Sequence, residues 1–260
     1  MAGLGAHPST SGESERMKKK VIVFAGNSGL GLWLVRDLIH GGEYEVFSSY
    51  RTNSSELKDL YIGNGLDPEK FCLQGDLTVC EQTNSIFRQI ASYGQIWGVI
   101  NLAGSASAKR LTRMEPVEAE QVFLNNALPA LFITKCAFDH MSQLDEQGGR
   151  IIHISSVTVK RPVPGAIPYI AAKAATEGIV RSSAVEGGRF AVTVNALRLG
   201  YFDAGMTLHV PPSILDAVRG STASNRFGNS TDFFGAVRYI LDVNSSFLTG
   251  SIIDLDGGLV

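Results

Sequence analysis

Short runs made wholly of apolar residues alternate along this chain with longer stretches in which apolar residues recur every third or fourth position. Val21-Ile22-Val23-Phe24 is apolar throughout, as a strand buried on both faces requires. Leu30 to Ile39 follows, with Leu30, Leu34, Val35 and Leu38 at helical spacing, and stops at Gly41-Gly42. The pattern predicts further strands at Tyr44–Ser49, Phe71–Leu73, Ile96–Leu102, Arg150–Ile154, Val192–Ala196 and Ser251–Leu255. It predicts further helices at Ser85–Ser92, Glu118–Met141, Tyr169–Glu186 and Thr231–Leu241. Six or seven such repeats point to an α/β fold: one doubly wound parallel sheet of about seven strands, with helices on both faces. No linker splits residues 18–260, so one domain is expected there, while residues 1–17 lack periodicity and are read as a disordered tail. In such a sheet the ligand lies beyond the carboxyl ends of the strands, where the strand order reverses.

Composition narrows the class. Apolar residues make up 44% and charged residues 18%, enough for a packed core. The net charge is −2 and no basic run extends past Lys18-Lys19-Lys20, which argues against a nucleic-acid partner. No apolar run reaches the roughly 18 residues of a membrane span, the stretch from Ala127 to Phe138 being interrupted by Lys135. The N-terminus lacks the apolar segment of a signal peptide, and Cys72, Cys80 and Cys136 suit neither a disulfide scaffold nor a metal site. A cytoplasmic protein with no metal and no membrane partner is expected. Glycine is abundant, 28 of 260 residues or about 11% against a usual ~7%. Many glycines follow apolar runs directly, as ligand-contacting strand ends would.

The first predicted strand ends in Ala25-Gly26-Asn27-Ser28-Gly29-Leu30-Gly31 and runs straight into a helix. Glycine lets backbone approach a pyrophosphate, and the helix N-terminus offers free N–H groups and a positive dipole end. A tight turn explains the glycines as well, but their place between strand and helix favours dinucleotide binding. The second strand ends in Ser48-Ser49-Tyr50-Arg51-Thr52, without the acidic residue that would hold an adenine ribose 2′-hydroxyl. Arg51, with Ser49 and Thr52, suits a 2′-phosphate, so NADP(H) is favoured over NAD(H).

Tyr169 and Lys173 lie four residues apart, on one face of a predicted helix. A neighbouring ammonium favours the phenolate, so the pair is expected to bring the phenol towards proton transfer near neutral pH. Ser155-Ser156 ends the strand containing His153, where a hydroxyl could donate to a carbonyl oxygen gaining charge. His153 itself reads as a strand residue satisfied by its neighbours rather than a base.

Together these pieces resemble the short-chain dehydrogenase/reductase family over about residues 18–260. The order matches: glycine loop, Asn101-Leu102-Ala103-Gly104, Ser156, Tyr169, Lys173 and the terminal Asp256-Gly257-Gly258. The resemblance implies a Rossmann-type fold and selects Ser156, thirteen residues before the tyrosine, over Ser155. It implies Tyr169 as proton donor, Ser156 as the carbonyl's polarising group, and Lys173 as modulator of Tyr169 and holder of the nicotinamide ribose. By the same resemblance Asn126 supports a relay water, and Asp76-Leu77 contacts adenine. Asn101, Ala103 and Gly104 then form the cofactor-flanking turn, and Gly200 and Phe202 lie near the nicotinamide. The cofactor-binding set is thus Gly26, Asn27, Ser28, Gly29, Leu30, Gly31, Arg51, Asp76, Leu77, Asn101, Ala103, Gly104, Tyr169, Lys173, Gly200 and Phe202.

The sequence departs from the family's pattern at four points. Its glycine loop is one residue short, Leu102 stands for an Asn, Leu199 for a Pro, and Ala204 for a Thr.

The expected activity is NADPH-dependent reduction of a ketone to a secondary alcohol, closest in pattern to 3-oxoacyl-carrier-protein reductases. The substrate would be a small ketone or an acyl thioester, including a carrier-protein-bound one. An NAD-dependent alcohol dehydrogenase and a non-catalytic dinucleotide-binding sensor or scaffold stand as alternatives. Residues 203–226, with Met206, Leu208, Val210, Ile214 and Leu215, form either a substrate lid or an ordinary surface helix. The family also implies a homotetramer or homodimer.

Overall fold

The computed structural model describes residues 18–142, 148–210 and 212–259. The tail expected at residues 1–17 lies outside the described residues. Seven strands form one sheet: β1 (Lys19–Phe24), β2 (Tyr44–Tyr50), β3 (Cys72–Gln74), β4 (Ile96–Asn101), β5 (Gly149–Ser156), β6 (Val192–Leu199) and β7 (Ile252–Leu255). Their order is β3-β2-β1-β4-β5-β6-β7, and every pair is parallel. The chain therefore builds outward from β1 in one direction, then reverses between β1 and β4, the switch point of the doubly wound α/β fold predicted above.

The helices are α1 (Gly29–Gly41), α2 (Ser55–Gly63), α3 (Pro68–Phe71), α4 (Cys80–Ala91), α5 (Pro116–Met141), α6 (Ile167–Gly187), α7 (Pro212–Gly220) and α8 (Ser230–Leu241). In α1 the buried positions Gly31, Leu34, Val35 and Leu38 form a single stripe against the sheet. Gly42 ends the helix in the left-handed conformation (φ 69°), its N–H bonding the Ile39 carbonyl. Central strands are buried on both faces, which explains their unbroken apolar runs: Val21 to Phe24 are wholly inaccessible to solvent.

Several predicted bounds change: the helix expected from Ser85 begins at Cys80, and the strands expected to end at Ile154 and Ala196 run on to Ser156 and Leu199. Phe71 closes the short helix α3, capped by the Asp67 carboxylate on Glu69 N–H, so β3 begins at Cys72. The helix α2 escapes the apolar pattern because only Leu57 and Tyr61 of its nine residues are buried. No helix among the described residues is long and apolar enough to cross a membrane.

Candidate active site

The loops leaving the carboxyl ends of β1 to β4 enclose a cleft of about 280 Å³, bordered by Asn27, Ser28, Arg51, Asp76, Leu77 and Gly104. A larger cavity of about 560 Å³ opens at the opposite end of the sheet, near Lys20, Glu45 and Lys70. Chemistry in a parallel sheet belongs at the carboxyl ends, where the loops and helix N-termini converge, so the smaller cleft is the candidate site.

The glycine loop is shaped by the protein's own backbone. A Cβ on Gly26 would lie 2.0 Å from Ser48 Oγ, and one on Gly31 only 2.3 Å from the Ala25 carbonyl oxygen. Gly29 adopts φ +51° and packs its Cα face on Gly205. These glycines thus let β1, β2 and α1 meet closely, a demand that precedes any ligand. Ser28 precedes α1 without capping it by its side chain, so the helix presents uncapped N–H groups. Leu30 is the second residue of that helix, and Asn27 Nδ2 ties the loop to the Asn53 carbonyl at 2.9 Å.

At the end of β2, Arg51 and Thr52 are exposed along the cleft, whereas Ser49 is buried and its Oγ accepts from Ala25 N–H at 3.2 Å. Ser49 therefore braces the glycine loop rather than standing free beside Arg51. Glu45 sits at the far end of β2, paired with Lys20 and Lys70. Asp76 accepts from the N–H and hydroxyl of Thr78 at 2.9 and 2.7 Å. Those bonds hold its carboxyl below the usual range against partial burial, with Arg51 adding a smaller pull.

The turn after β4 is held from beneath. Asn101 Oδ1 accepts from Ala103 N–H at 2.9 Å, and its Nδ2 lies 3.1 Å from His153 Nδ1. His153 Nε2 lies 2.9 Å from Thr134 Oγ1, whose own proton goes to the Ala130 carbonyl. These partners assign the tautomer: Nε2 carries the proton and Nδ1 accepts. Complete burial, with the Lys173 charge adding to it, pulls His153 down to about 3. The histidine is a neutral brace for the Ala103-Gly104 turn and no base, as expected.

Tyr169, Ser156, Lys173 and Asn126 are all at least nine-tenths buried. The Ser156 hydroxyl stands beside the phenol and favours its ionised form, while Ser156 Oγ lies 2.9 Å from Thr158 Oγ1 and accepts from Thr158 N–H. Ser155 turns the other way, its hydroxyl donating to Glu177 Oε1 at 2.8 Å, so only Ser156 faces the tyrosine. Lys173 Nζ sits 5.7 Å from the Tyr169 ring centre and donates to the Ile154 carbonyl at 2.9 Å. Burial lowers Lys173 to about 8.

The phenol departs from expectation. Burial raises Tyr169 above its ordinary value, and the neighbouring Ser156 hydroxyl only partly opposes this. Desolvation dominates the phenol's balance in this structure.

Asn126 Nδ2 donates to the carbonyls of Ser105 and Val122, both at 2.7 Å, leaving Oδ1 buried without a partner. That oxygen would be 2.4 Å from a Cβ on Gly104, with Lys173 Nζ 3.3 Å from the same point. Gly104 thus leaves room where an open acceptor and an ammonium meet. Asn125 differs: it borders the cleft, bonded to Gln121 and more weakly to Ser105.

Gly200 packs against Asp256, where a Cβ would come within 2.7 Å of its Cα. The Phe202 ring is buried on Gly228 and edge-on to Phe233, leaving backbone as its available contact.

The residues present fit a dinucleotide: an uncapped helix N-terminus and an arginine at the end of β2 border one cleft, and the orphaned Asn126 acceptor lies directly behind Gly104 in its wall. Among the residues lining it, sequence reasoning assigned no role to Ala25, Tyr50, Gly75, Thr78, Ser105, Asn125 and Pro129. Each neighbours a residue that was singled out, save Pro129, which stands inside α5 where proline removes the bond to the Asn125 carbonyl. No group of three or more potential metal ligands occurs among the described residues.

A doubly wound sheet with this cleft at its switch point is the architecture of nucleotide-binding Rossmann-like proteins. Residues 19–213 match the short chain dehydrogenase family. The chain belongs to that family and is an NAD(P)-dependent oxidoreductase acting on C=O and CH–OH groups. It is 27% identical over 241 residues to an acetoacetyl-CoA reductase of Synechocystis sp., covering 92% of this chain and 95% of that one. It is 26% identical over 249 residues to the 3-oxoacyl-[acyl-carrier-protein] reductase FabG of Staphylococcus aureus, covering 94% and 99%. Nodulation protein G of Azospirillum brasilense is 30% identical over 191 residues, 73% of this chain and 76% of that one.

Proposed function

We propose that this protein is an NADPH-dependent ketoreductase acting on β-ketoacyl thioesters, free or carrier-bound. The observation that carries the reading is the convergence of the Tyr169 phenol, the Ser156 hydroxyl and the Lys173 ammonium, with Lys173 Nζ 3.3 Å from where a Cβ would stand on Gly104, a residue of the cleft wall. Two relatives along nearly the whole chain are named as reductases of acetoacetyl-CoA and of 3-oxoacyl-carrier protein, which supports the substrate class. Exposed Arg51 and Thr52, with no carboxylate at the end of β2, favour a 2′-phosphate and hence NADPH.

When bound, the nicotinamide supplies the hydride. Ser156 Oγ donates a hydrogen bond to the substrate carbonyl oxygen, which becomes more basic as it gains charge. Tyr169 Oη gives that oxygen its proton. Lys173 stabilises the resulting phenolate, and its charge matters most at that moment because the site is dry. Asn126 Oδ1, an acceptor with no partner in the protein, holds a donor next to Lys173, the place for a water that resupplies the proton. Arg51 and the α1 N-terminus hold phosphate groups.

The segment 203–226 acts as a lid: Met206, Leu208 and Ile214 are 49, 70 and 50% exposed, and α7 buries no residue of its own. Exposed Val117, Phe123 and Leu131 on α5 and Val185 on α6 suit a homo-oligomer contact. Three unpaired cysteines accord with a reducing, cytoplasmic setting.

NADPH oxidation should be followed with β-ketoacyl thioesters and free ketones. Tyr169→Phe should lower kcat by roughly 10²–10⁴-fold. Turnover that persists in that variant, or that no β-ketoacyl thioester supports, refutes the assignment.

A further inference from the structure

Glu177 lies one helical turn beyond Lys173 on α6 and is 3% exposed, yet none of the roles above uses it. Its Oε1 accepts from Ser155 Oγ at 2.8 Å and from Arg198 Nε at 2.9 Å. Its Oε2 accepts from Arg198 Nη2 at 2.8 Å, closing a two-pronged ion pair in which both side chains are under 10% exposed. Arg198 Nη1 continues to Asp254 Oδ1 at 2.6 Å, and the other oxygen of Asp254 pairs with Lys160. Exposed Arg181 adds an outer contact to Glu177 at 3.5 Å.

Burying such charges is a poor way to gain stability, since apolar residues of similar volume would hold the fold at least as well. Where the network ends is more informative. One end grips Ser155, directly before Ser156 on β5. The other grips Lys160, which closes the helical turn Val157–Val159 directly after it. Successive strand residues face opposite sides, so pinning the Ser155 hydroxyl fixes the rotation of β5 and with it the aim of Ser156. Three successive turns of α6 then engage the end of one strand: Tyr169 with Ser156, Lys173 with the Ile154 carbonyl, Glu177 with Ser155.

We propose that the Glu177–Arg198–Asp254–Lys160 network is a clamp that sets the Ser156 hydroxyl against Tyr169, with Glu177 and Arg198 as positioning residues. The inference rests on the ketoreductase reading for its kinetic consequence, though not for its geometry. Supporting groups of this kind are needed because a reacting constellation tolerates only about 0.5 Å of misplacement.

Removing one partner would strand the other as a buried, uncompensated charge, so the test is the paired variant Glu177→Leu/Arg198→Leu, beside Ser155→Ala. Expected for the pair is a kcat at least tenfold below wild type, with melting temperature, substrate KM and NADPH affinity close to wild type. Ser155→Ala should lower kcat three- to tenfold with the same unchanged quantities. An unchanged kcat overturns the proposal, as does a kcat that falls only together with stability and cofactor affinity. Amide hydrogen exchange over residues 155–160 supplies a readout independent of turnover. It should quicken at least tenfold in the paired variant while β1 and β2 stay unchanged, and equal exchange refutes the clamp. Should wild type lack any Tyr169-dependent turnover, the ketoreductase reading falls, and exchange alone decides the clamp.

Discussion

Lys173 is fully buried with no carboxylate among its contacts, and replacing it with methionine should make the protein without cofactor more stable at neutral pH. Burial lowers the lysine from 10.5 to about 8, which corresponds to a desolvation cost of about 3 kcal/mol at pH 7. Against this, Lys173→Met loses the charge-assisted bond to the Ile154 carbonyl, worth about 1.5–3 kcal/mol, and leaves that oxygen unpaired. The expected net gain at pH 7 is therefore small, about 0–1.5 kcal/mol. The pH dependence is the sharper test. Below about pH 8 the ammonium is charged in folded and unfolded chains alike, and the folded chain bears the whole cost. Between about 8 and 10.5 the folded chain has released its proton while the unfolded chain keeps it, so the cost fades as pH rises. About 2 kcal/mol of the variant's advantage should disappear between pH 7 and 9.5, because other titrating groups are common to both proteins. Urea unfolding of both proteins at the two pH values, followed by circular dichroism, measures the difference. A variant that is less stable at pH 7, or whose relative stability does not fall towards pH 9.5, refutes the reasoning. The same substitution should abolish reductase turnover, so this lysine trades stability for function.

Arg51→Asp should invert the preference between NADPH and NADH in kcat/KM, since it removes a charge-assisted phosphate contact worth about 1.5–3 kcal/mol, or roughly ten- to 150-fold. An unaltered preference would locate cofactor choice elsewhere. Gly31→Ala should weaken cofactor binding and cost about 1–3 kcal/mol, because its Cβ meets the Ala25 carbonyl oxygen, which belongs to the loop itself. Gly235→Ala, on the exposed face of α8 with nothing within 4 Å, should instead add up to about 1 kcal/mol, and thermal melts of the two would show opposite signs.

The strands were legible because a sheet covered on both faces demands uninterrupted apolar runs, and the Tyr169–Lys173 pair because helical periodicity puts both on one face. Short elements were harder. Only two buried residues mark α2, and Phe71 is as apolar in α3 as it would be in a strand. Ser155 and Ser156 are chemically identical, so the residues alone could not separate them. Their roles diverge because adjacent strand positions face opposite sides, one towards Glu177 and the other towards Tyr169. The Glu177–Arg198 pair left no trace in local pattern, its members lying 21 residues apart on different elements.

Charge balance drew the same boundary. From the sequence, an ammonium beside a phenol lowers the phenol's pKa; in the folded protein burial raises it, because desolvation acts on every group the core encloses. Hydrophobic periodicity, glycine placement and helix spacing are local properties, and they determined the doubly wound sheet, its ligand-bearing edge and the candidate residues. Which hydroxyl faces the tyrosine, which acceptor stays open and which charges lie buried behind the site were decided only by tertiary packing. Those outcomes depend on distances and solvent exclusion between segments far apart along the chain.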